Sequence, residues 1–367
     1  MTECCGPAQP CCGSTPPEYD YGPAPFLDGE VDTFAGSVPR LSTALSAEDR
    51  RGTVRVRLGI GRSDYRVKPQ LYAIGQPDDT SPVLVTGNYK LTVDTVRTAL
   101  AGLDVWLLVI DSRGVNVWCA AGKGTFGTAE VVRAVRDARL EQIVSHTRLV
   151  LPQLGATGVA AHEVRRQSGF SAVWGPVRIG DVPAFLEAGM KATPEMRRVE
   201  FPLAERAKLV SVELSVLWRP WVLAWLGGLL ALAVALAWLA PALAVPVALL
   251  VGTLALAVVA GAVVMPLLLP VLPGRSFALK GATAGVLVLG LAAAALGAAG
   301  QMPVWGWGLV VGGSALASFV AMNFTGSSTF TSPSGVEWEM RRAIPAQLAG
   351  AVAGAGLFVA GIAMGVL

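Results

Sequence analysis

Only 15% of the 367 residues are charged, whereas typical soluble domains contain about a quarter. The shortage is local, because residues 221–367 hold four basic and two acidic side chains and leave 25 basic and 24 acidic ones for residues 1–220. A near-neutral soluble part therefore precedes an almost uncharged part. This division excludes a wholly soluble protein, a disordered chain and a nucleic-acid binder that relies on a basic face.

The first segment, residues 1–40, is rich in Pro, Gly and Cys and has no periodic pattern of apolar residues. We therefore predict a flexible arm. It contains four of the five cysteines, in two vicinal pairs, Cys4 with Cys5 and Cys11 with Cys12. Residues 1–21 lack the basic start and the apolar core that are typical of a signal peptide.

The second segment, residues 41–200, alternates runs typical of strands with runs typical of helices. The predicted strands are 54–58, 82–86, 105–110, 148–151 and 171–174, and the predicted helices are 92–100, 129–139, 162–167 and 182–188. This alternation predicts an α/β, Rossmann-like domain with a mostly parallel sheet and helices on both faces. Ligands of such sheets bind beyond the carboxyl ends of the strands, where residues 87–90 and 111–127 are expected.

The remainder of the chain is predicted to be a juxtamembrane linker, residues 201–220, and an all-α transmembrane domain, residues 221–367. The uncharged stretches 221–274, 281–336 and 343–367 contain 54, 56 and 25 residues. About 20 apolar residues in a helix span the roughly 30 Å hydrocarbon core, so the stretches accommodate two, two and one helices. The five predicted spans are 221–239, 243–270, 281–299, 303–322 and 345–366.

The basic residues next to these spans fall in alternate loops, which are marked by Arg219, by Arg275 with Lys280, and by Arg341 with Arg342. The positive-inside rule then predicts a multi-pass protein of the cytoplasmic membrane, with the soluble domain in the cytoplasm and the C-terminus outside. No Asp, Glu, Lys, Arg or His lies within a predicted span, which disfavours ion or proton transport.

The fifth cysteine, Cys119, lies in the stretch GVNVWCAAGKGTFG after the predicted strand 105–110. A lone cysteine is most often a buried small hydrophobe, and that interpretation stays open. The alternative is a metal-binding thiolate, because the following Ala-Ala-Gly could begin a helix whose N-terminus, together with Lys123, would favour the charged form. Asn116 adds a hydrogen-bonding group and Trp118 a flat surface.

The stretch NVWCAAGK at 116–123 resembles the signature of the corrinoid protein of microbial mercury methylation. Four further stretches resemble the same family: SPVLVTGNYKL at 81–91, GKGTFGT at 122–128, GFSAVWGPVRIGDVPAFLEAG at 169–189 and NFTGSSTFTSPSGVEWEM at 323–340. The resemblance covers roughly residues 40–367 and leaves out the cysteine-rich arm. The soluble domain also resembles the corrinoid domain of the acetyl-CoA pathway's corrinoid iron–sulfur protein, although that relative lacks the cysteine.

The resemblance implies a corrinoid cofactor of the cobalamin type, with the Cys119 thiolate as the lower axial ligand of its cobalt. The residues expected around the cofactor are Gly87, Asn88, Tyr89, Asn116, Val117, Trp118, Cys119, Ala120, Ala121, Gly122 and Lys123. The common cobalamin signature D-x-H-x-x-G is absent, and we interpret His146 and His162 as structural or surface residues. Hg(II) is an electrophile that accepts a methyl group as a carbanion or radical, and an electron-rich thiolate suits that transfer.

The resemblance also implies partners. A small ferredoxin with iron–sulfur clusters would supply electrons, because this chain has no iron–sulfur cysteine pattern. A methyl-folate-linked protein would supply the methyl group. The pairs Cys4 with Cys5 and Cys11 with Cys12 would capture Hg(II), but zinc or arsenic binding, or no function, fits them equally well.

Two other functions remain open at this stage. One is a corrinoid methyl carrier with an acceptor other than mercury. The other is a membrane sensor or transporter with an α/β ligand domain, which the absence of charges from the predicted spans disfavours.

Overall fold

The computed structural model describes residues 21, 24–296, 303–324 and 333–365. These residues form two compact units. The first, which we call the sheet unit, contains the described residues up to Asp49 and the range Ser63–Met196. The second, which we call the membrane unit, contains Arg50–Arg62 and the described residues from Arg197 onwards.

The sheet unit is built on one seven-stranded sheet in its described residues. The strands are β1 (Leu27–Thr33), β2 (Gly36–Leu41), β3 (Gln70–Ile74), β4 (Val83–Gly87), β5 (Val105–Ile110), β6 (Arg148–Leu151) and β7 (Ser171–Trp174). Their order is β1-β2-β3-β5-β4-β6-β7. The neighbours β5, β4, β6 and β7 are parallel, whereas β3 is antiparallel to β5 and β1 to β2. The predicted parallel core of the sheet is therefore present.

Helices cover both faces of the parallel strands, as the sequence predicts. The helices are α1 (Ala47–Arg57), α2 (Lys90–Ala99), α3 (Val117–Gly122), α4 (Thr128–Asp137), α5 (Ala161–Ser168) and α6 (Val182–Glu187). One apolar cluster includes Val131 of α4 and Val164 of α5, and the other includes Val93 of α2 and Phe185 of α6. Successive residues of β4 alternate between the two clusters, which is the two-residue period of a strand that is buried on both faces.

Two predictions about the first 60 residues are wrong. Residues 27–40, predicted as part of the flexible arm, form β1 and most of β2, while residues 1–20 lie outside the described part of the chain. Residues 54–58 alternate Arg with apolar residues and were expected to form a strand, but residues 54–57 belong to α1. Ser46 explains the helix, because its hydroxyl accepts from the Asp49 N–H (3.1 Å) while the Asp49 carboxylate accepts from the Ser46 N–H (2.9 Å). This reciprocal cap starts a helix.

The membrane unit is helical in its described residues from Arg197 onwards. Its α-helices are α7 (Leu203–Leu214), α8 (Pro220–Leu239), α9 (Ala244–Val259), α10 (Met265–Leu267), α11 (Phe277–Leu296), α12 (Val304–Met322) and α13 (Pro333–Ala363). A π-helical turn, Ala260–Val264, joins α9 to α10. Five helical segments are long and apolar enough to cross a membrane: Pro220–Leu239, Pro241–Leu267, Phe277–Leu296, Val304–Met322 and Gly335–Ala363. The predicted fold class, an α/β domain followed by five apolar helices, is confirmed.

Two of these helices begin earlier than predicted, so they include charged residues. The α11 helix contains Lys280, whose Nζ donates to the Leu269 and Leu272 carbonyl oxygens at 2.7 and 2.6 Å. The α13 helix contains Glu339, whose carboxylate accepts from the Ala278 N–H at 2.6 Å. Residues 333–344, which lie before the predicted start of the fifth span, are therefore helical. Glu339 thus satisfies a backbone donor in the first turn of α11, and Lys280 satisfies two carbonyl oxygens in the turn after α10.

Candidate functional site

The carboxyl ends of β4, β5 and β6 lie together at one edge of the sheet. Gly87, the last residue of β4, pairs with Ile110, the last residue of β5, and β6 runs parallel to β4 on its other side. The helix that follows β4 lies on one face of the sheet, and the helices that follow β5 lie on the other. Ligands of open α/β sheets bind where the connections diverge in this way.

Cys119 lies at this edge, in the short helix α3 that follows β5. Asn116 is the N-cap of α3, and its side-chain oxygen accepts the Cys119 backbone N–H at 2.9 Å. Asparagine is a favoured N-cap because its oxygen satisfies a backbone donor that the helix leaves unpaired. The sequence prediction that a helix begins around Cys119 is therefore close, although its first helical residue is Val117.

The predicted site residues of α3 divide into two groups. Val117, Ala120 and Ala121 are buried and belong to the apolar cluster beneath the helix. Asn116, Trp118 and Cys119 are half-buried, while Gly122 and Lys123 are exposed. A side chain built on Gly122 would meet nothing within 4 Å. The segment is thus anchored by one face and presents the Cys119 thiol on the other.

Asn88 connects the end of β4 to the loop that leads into α3. Its side chain is fully buried, and its amide NH₂ donates to the Asp111 carboxylate at 2.9 Å. Its amide oxygen accepts from the Ser112 and Gly114 backbone N–H groups at 3.1 and 2.9 Å and from the Ser112 hydroxyl at 3.0 Å. Asn88 therefore holds the loop in place, and in this structure its side chain is enclosed by protein.

The neighbours of Asn88 at the end of β4 are also buried. A side chain on Gly87 would come within 2.6 Å of the Ser112 hydroxyl oxygen, so only glycine permits this close approach. Tyr89 is 5% exposed. Gly87 and Asn88 therefore support the loop that leads into α3, and Tyr89 is buried next to them, whereas the outward face of α3 is the accessible part of the predicted site.

A loop that the sequence analysis did not single out completes the support of α3. The loop after β6 contains Gly155 and Gly158. A side chain on Gly158 would come within 2.2 Å of the Phe126 carbonyl oxygen and 3.0 Å of the Ala121 Cα, and one on Gly155 within 2.7 Å of the Phe126 ring. Two glycines separated by Ala-Thr are an ordinary loop pattern, so no sequence signal marks them as supports of the site.

A buried charge cluster anchors the first turn of α2, directly after Asn88 and Tyr89. Lys90 Nζ lies 2.6 Å from a carboxylate oxygen of Asp49 and 2.6 Å from one of Asp94, and the Arg97 guanidinium contacts the same two carboxylates at 2.7 and 2.8 Å. Burial opposes ionisation of Asp49, but hydrogen bonds from Lys90 and Ser46 outweigh that effect and hold its pKa well below the ordinary value. The cluster holds α2 against the start of α1.

Neither histidine approaches Cys119 as a competing ligand. His146 Nε2 lies 2.9 Å from the Ser81 carbonyl oxygen at the start of β4, and the side chain of His162 is 82% exposed on α5. Among the described residues, no group of three or more His, Cys, Asp or Glu side chains could hold a metal ion. The pairs Cys4 with Cys5 and Cys11 with Cys12 lie outside the described residues.

Comparison with known proteins places similarity in the sheet unit. Residues 60–186 match the family of the CO dehydrogenase/acetyl-CoA synthase delta subunit. The acetyl-CoA decarbonylase/synthase complex subunit gamma of Methanopyrus kandleri is 37% identical over 128 residues, which cover 34% of this chain and 27% of that protein. The subunit of the same name from Archaeoglobus fulgidus is 31% identical over 140 residues, 37% of this chain and 29% of that protein.

The matched region contains β3 to β7 and the whole Cys119 segment. The chain spans less than a third of the length of these curated relatives. The predicted similarity to a protein of the acetyl-CoA pathway is confirmed over this region. The resemblance to mercury-methylating proteins stays a prediction.

Proposed function

We propose that this chain is a membrane-bound corrinoid protein that transfers a methyl group to Hg(II), with the Cys119 thiolate bound to the corrinoid cobalt from its lower face. The observation that carries the proposal is the position of Cys119. It is presented on the outward face of α3, at the carboxyl edge of the parallel strands, while the opposite face of the helix is fixed in the core.

The residues at this edge fit such a cofactor. Cys119 is the only cysteine in the described part of the chain, and a thiolate is a soft, electron-rich donor for an oxidised cobalt centre. A side chain on Gly122 would meet no atom within 4 Å, so the surface of α3 is open there, beside the half-buried Trp118. When bound, the corrinoid supplies a methyl group carried on cobalt.

The protein's own contribution is to position the thiol. The Asn116 oxygen fixes the Cys119 backbone, and Val117, Ala120 and Ala121 hold α3 to the core. Asn88 fixes the loop that precedes α3 through Ser112 and Gly114. A ligand held on both sides in this way keeps its geometry through repeated transfers, as rigid support of a metal ligand generally requires.

Further parts of the proposal concern the rest of the chain. We assign corrinoid binding to residues 41–200 and membrane anchoring to residues 221–367. A ferredoxin would return electrons to the site, and a methyl-folate-linked protein would recharge it. The N-terminal cysteines would capture Hg(II), because vicinal thiols are soft ligands.

A corrinoid methyl carrier with a different acceptor is the second candidate. The relatives are named as subunits of the acetyl-CoA decarbonylase/synthase complex, which favours a carrier that works with protein partners. The two candidates differ in the molecule that receives the methyl group.

The test is the visible absorbance spectrum of the full chain, purified in detergent and loaded with cobalamin. We expect a band from sulfur-to-cobalt coordination that Cys119→Ala removes. Ser145→Ala, an exposed site at the opposite edge of the sheet, is the matched control and should leave the band unchanged. A wild-type protein that binds no cobalamin, or a spectrum that Cys119→Ala does not alter, would contradict the proposal.

A further inference from the structure

The membrane unit contains a short N-terminal piece of the chain, Arg50–Arg62, which we call the basic segment. Its sequence, RRGTVRVRLGIGR, has five arginines and no acidic residue. The arginines are Arg50, Arg51, Arg55, Arg57 and Arg62. Within the part of the chain that the structure describes, none of the five forms a side-chain ion pair. The segment therefore carries five positive charges without an ion-pair partner among the described residues, whereas the whole chain carries a net charge of only +3.

The exposed face of the basic segment combines charge with apolar surface. Arg50, Arg51 and Arg55 are exposed, and Val54 between them is 57% exposed. Spacings of three and four residues place these side chains on one face of α1. Beyond the helix end, Leu58 and Ile60 are 39% and 52% exposed. Arginine interleaved with apolar residues is the pattern of segments that lie in a membrane interface.

The turn that ends α1 fixes the location of the segment. Gly59 has a φ of +80°, and the Ile60 N–H donates to the Arg55 carbonyl oxygen at 2.9 Å, which is the pattern of a Schellman cap. A side chain on Gly59 would come within 3.1 Å of the Ser215 Cβ and Oγ atoms, so the turn packs on Ser215.

Ser215 lies shortly before the first helix that is long and apolar enough to cross a membrane. It begins the 3₁₀ turn Ser215–Trp218, which precedes the apolar helix α8. The turn ends at Trp218 and Arg219 is extended, so Ser215 lies five residues before Pro220, the first residue of α8. Trp218 and Trp221 are 63% and 59% exposed at this level, where aromatic belts meet the lipid headgroups.

We propose that the basic segment binds the anionic headgroups of the phospholipid bilayer. The five arginines provide charge complementarity, and Val54, Leu58 and Ile60 provide apolar contact with the interface. This binding is separate from the chemistry proposed for Cys119, because it requires neither the cofactor nor the substrate. Its effect is to tie the end of α1 to the membrane surface through lipid as well as through Ser215.

The test is hydrogen–deuterium exchange of the full chain in nanodiscs of pure phosphatidylcholine and in nanodiscs with 30% phosphatidylglycerol. Peptides that cover residues 50–62 should exchange about fivefold more slowly in the anionic discs, the factor that a binding free energy of about 1 kcal/mol gives. Salt at about 0.5 M should remove the difference, because it screens charges beyond a few ångströms. Equal exchange in the two discs would overturn the proposal.

Two variants localise the effect. Replacing Arg50, Arg51, Arg55 and Arg62 with Gln should abolish the difference between discs, and replacing the same four with Lys should retain it. The matched control removes four exposed arginines from the sheet unit, namely Arg133, Arg136, Arg165 and Arg166. In that control, residues 50–62 should still exchange more slowly in the anionic discs than in the phosphatidylcholine discs. A glutamine variant that still responds to anionic lipid, while exchange in β5 is unchanged, would show that the basic segment is not the binding surface.

Discussion

The role of Asn88 as the support of the Cys119 loop gives the most detailed prediction. Asn88→Ala removes the acceptor of two buried backbone donors, the N–H groups of Ser112 and Gly114. The Ser112 hydroxyl keeps a second partner, the Val115 carbonyl oxygen at 2.7 Å, so it adds little to the loss. Each buried donor left unsatisfied costs about 1–3 kcal/mol, which gives a total of about 2–6 kcal/mol.

The loss should be visible as local opening of the sheet unit, measured by hydrogen–deuterium exchange of the full chain in detergent. In the Asn88→Ala protein, the free energy of opening for peptides that cover β5 and α3 should fall by at least about 2 kcal/mol. Asn323→Ala, at an exposed position after α12, is the matched control and should change nothing there. A decrease below about 1 kcal/mol in Asn88→Ala would refute the assigned role.

A companion substitution, Asn88→Asp, separates hydrogen bonding from simple packing. The aspartate keeps the acceptor oxygen but places a second carboxylate about 2.9 Å from that of Asp111. Two carboxylates at this distance raise each other's affinity for a proton, so the folded-state pKa of the pair rises above the unfolded value. The resulting penalty is present at neutral pH and disappears as the pH falls through the raised pKa. Asn88→Ala should show no such recovery.

Three further predictions concern acid stability, topology and the N-terminal arm. The pKa of Asp49 is lower in the folded state than its unfolded value, which is near 3.8, so the ionised carboxylate stabilises the fold fully above that pH. This stabilisation is lost as the pH falls below 3.8. Denaturant titrations of wild type and Asp49→Asn should therefore give different stabilities at neutral pH and similar ones in acid. Reporter fusions should place residue 300 and the C-terminus outside and residue 332 in the cytoplasm, and a cytoplasmic C-terminus would mean that the helix count is wrong. Replacing all four N-terminal cysteines with Ser should slow methylation most when thiol buffers keep the concentration of free Hg(II) low. Equal rates for the variant and wild type across these buffers would show that the arm does not deliver Hg(II).

The parallel strands and the long apolar helices were predictable because their signals are local. The continuous apolar run at 105–110 and the stretch 148–151, which is apolar after Arg148, give strands with the predicted bounds, and α8 and α12 begin within one residue of the predicted positions. The error at 54–58 arose because alternating Arg and Val mimics an edge strand over five residues. The segment is instead helical because Ser46 caps it and because Asp49 contacts Lys90 and Arg97, which lie 41 and 48 residues further along the chain.

The site was predictable in part for the same reason. The position of Cys119 after β5 follows from strand order, and Asn116 is a recognisable helix cap. What the sequence could not supply is the direction of each side chain. Asn88 looks like a ligand contact in the stretch GNYK, yet its amide is saturated by a loop 23–26 residues further along the chain. The role of Gly155 and Gly158 can be recognised only in the structure, where the loop after β6 packs against α3.

The central claim is that Cys119 acts as a cobalt ligand rather than as a packing residue. It is tested most directly by comparing the methylation rates of two Cys119 variants. Cys119→Ala removes the donor but fits the half-buried position, whereas Cys119→His is larger and retains a nitrogen donor for cobalt. The measurement is the anaerobic rate of methylmercury formation from Hg(II) by the full chain loaded with methylcobalamin, which supplies the methyl group, with thermal unfolding recorded for each variant.

If Cys119 binds cobalt, Cys119→Ala should reduce the methylation rate to near background, and Cys119→His should retain slow activity, because imidazole still binds cobalt but donates less charge. If the residue only fills space, the alanine variant should be the milder of the two and the histidine variant the more harmful. A Cys119→Ala protein that is folded and keeps most of its methylation rate would contradict the thiolate ligand.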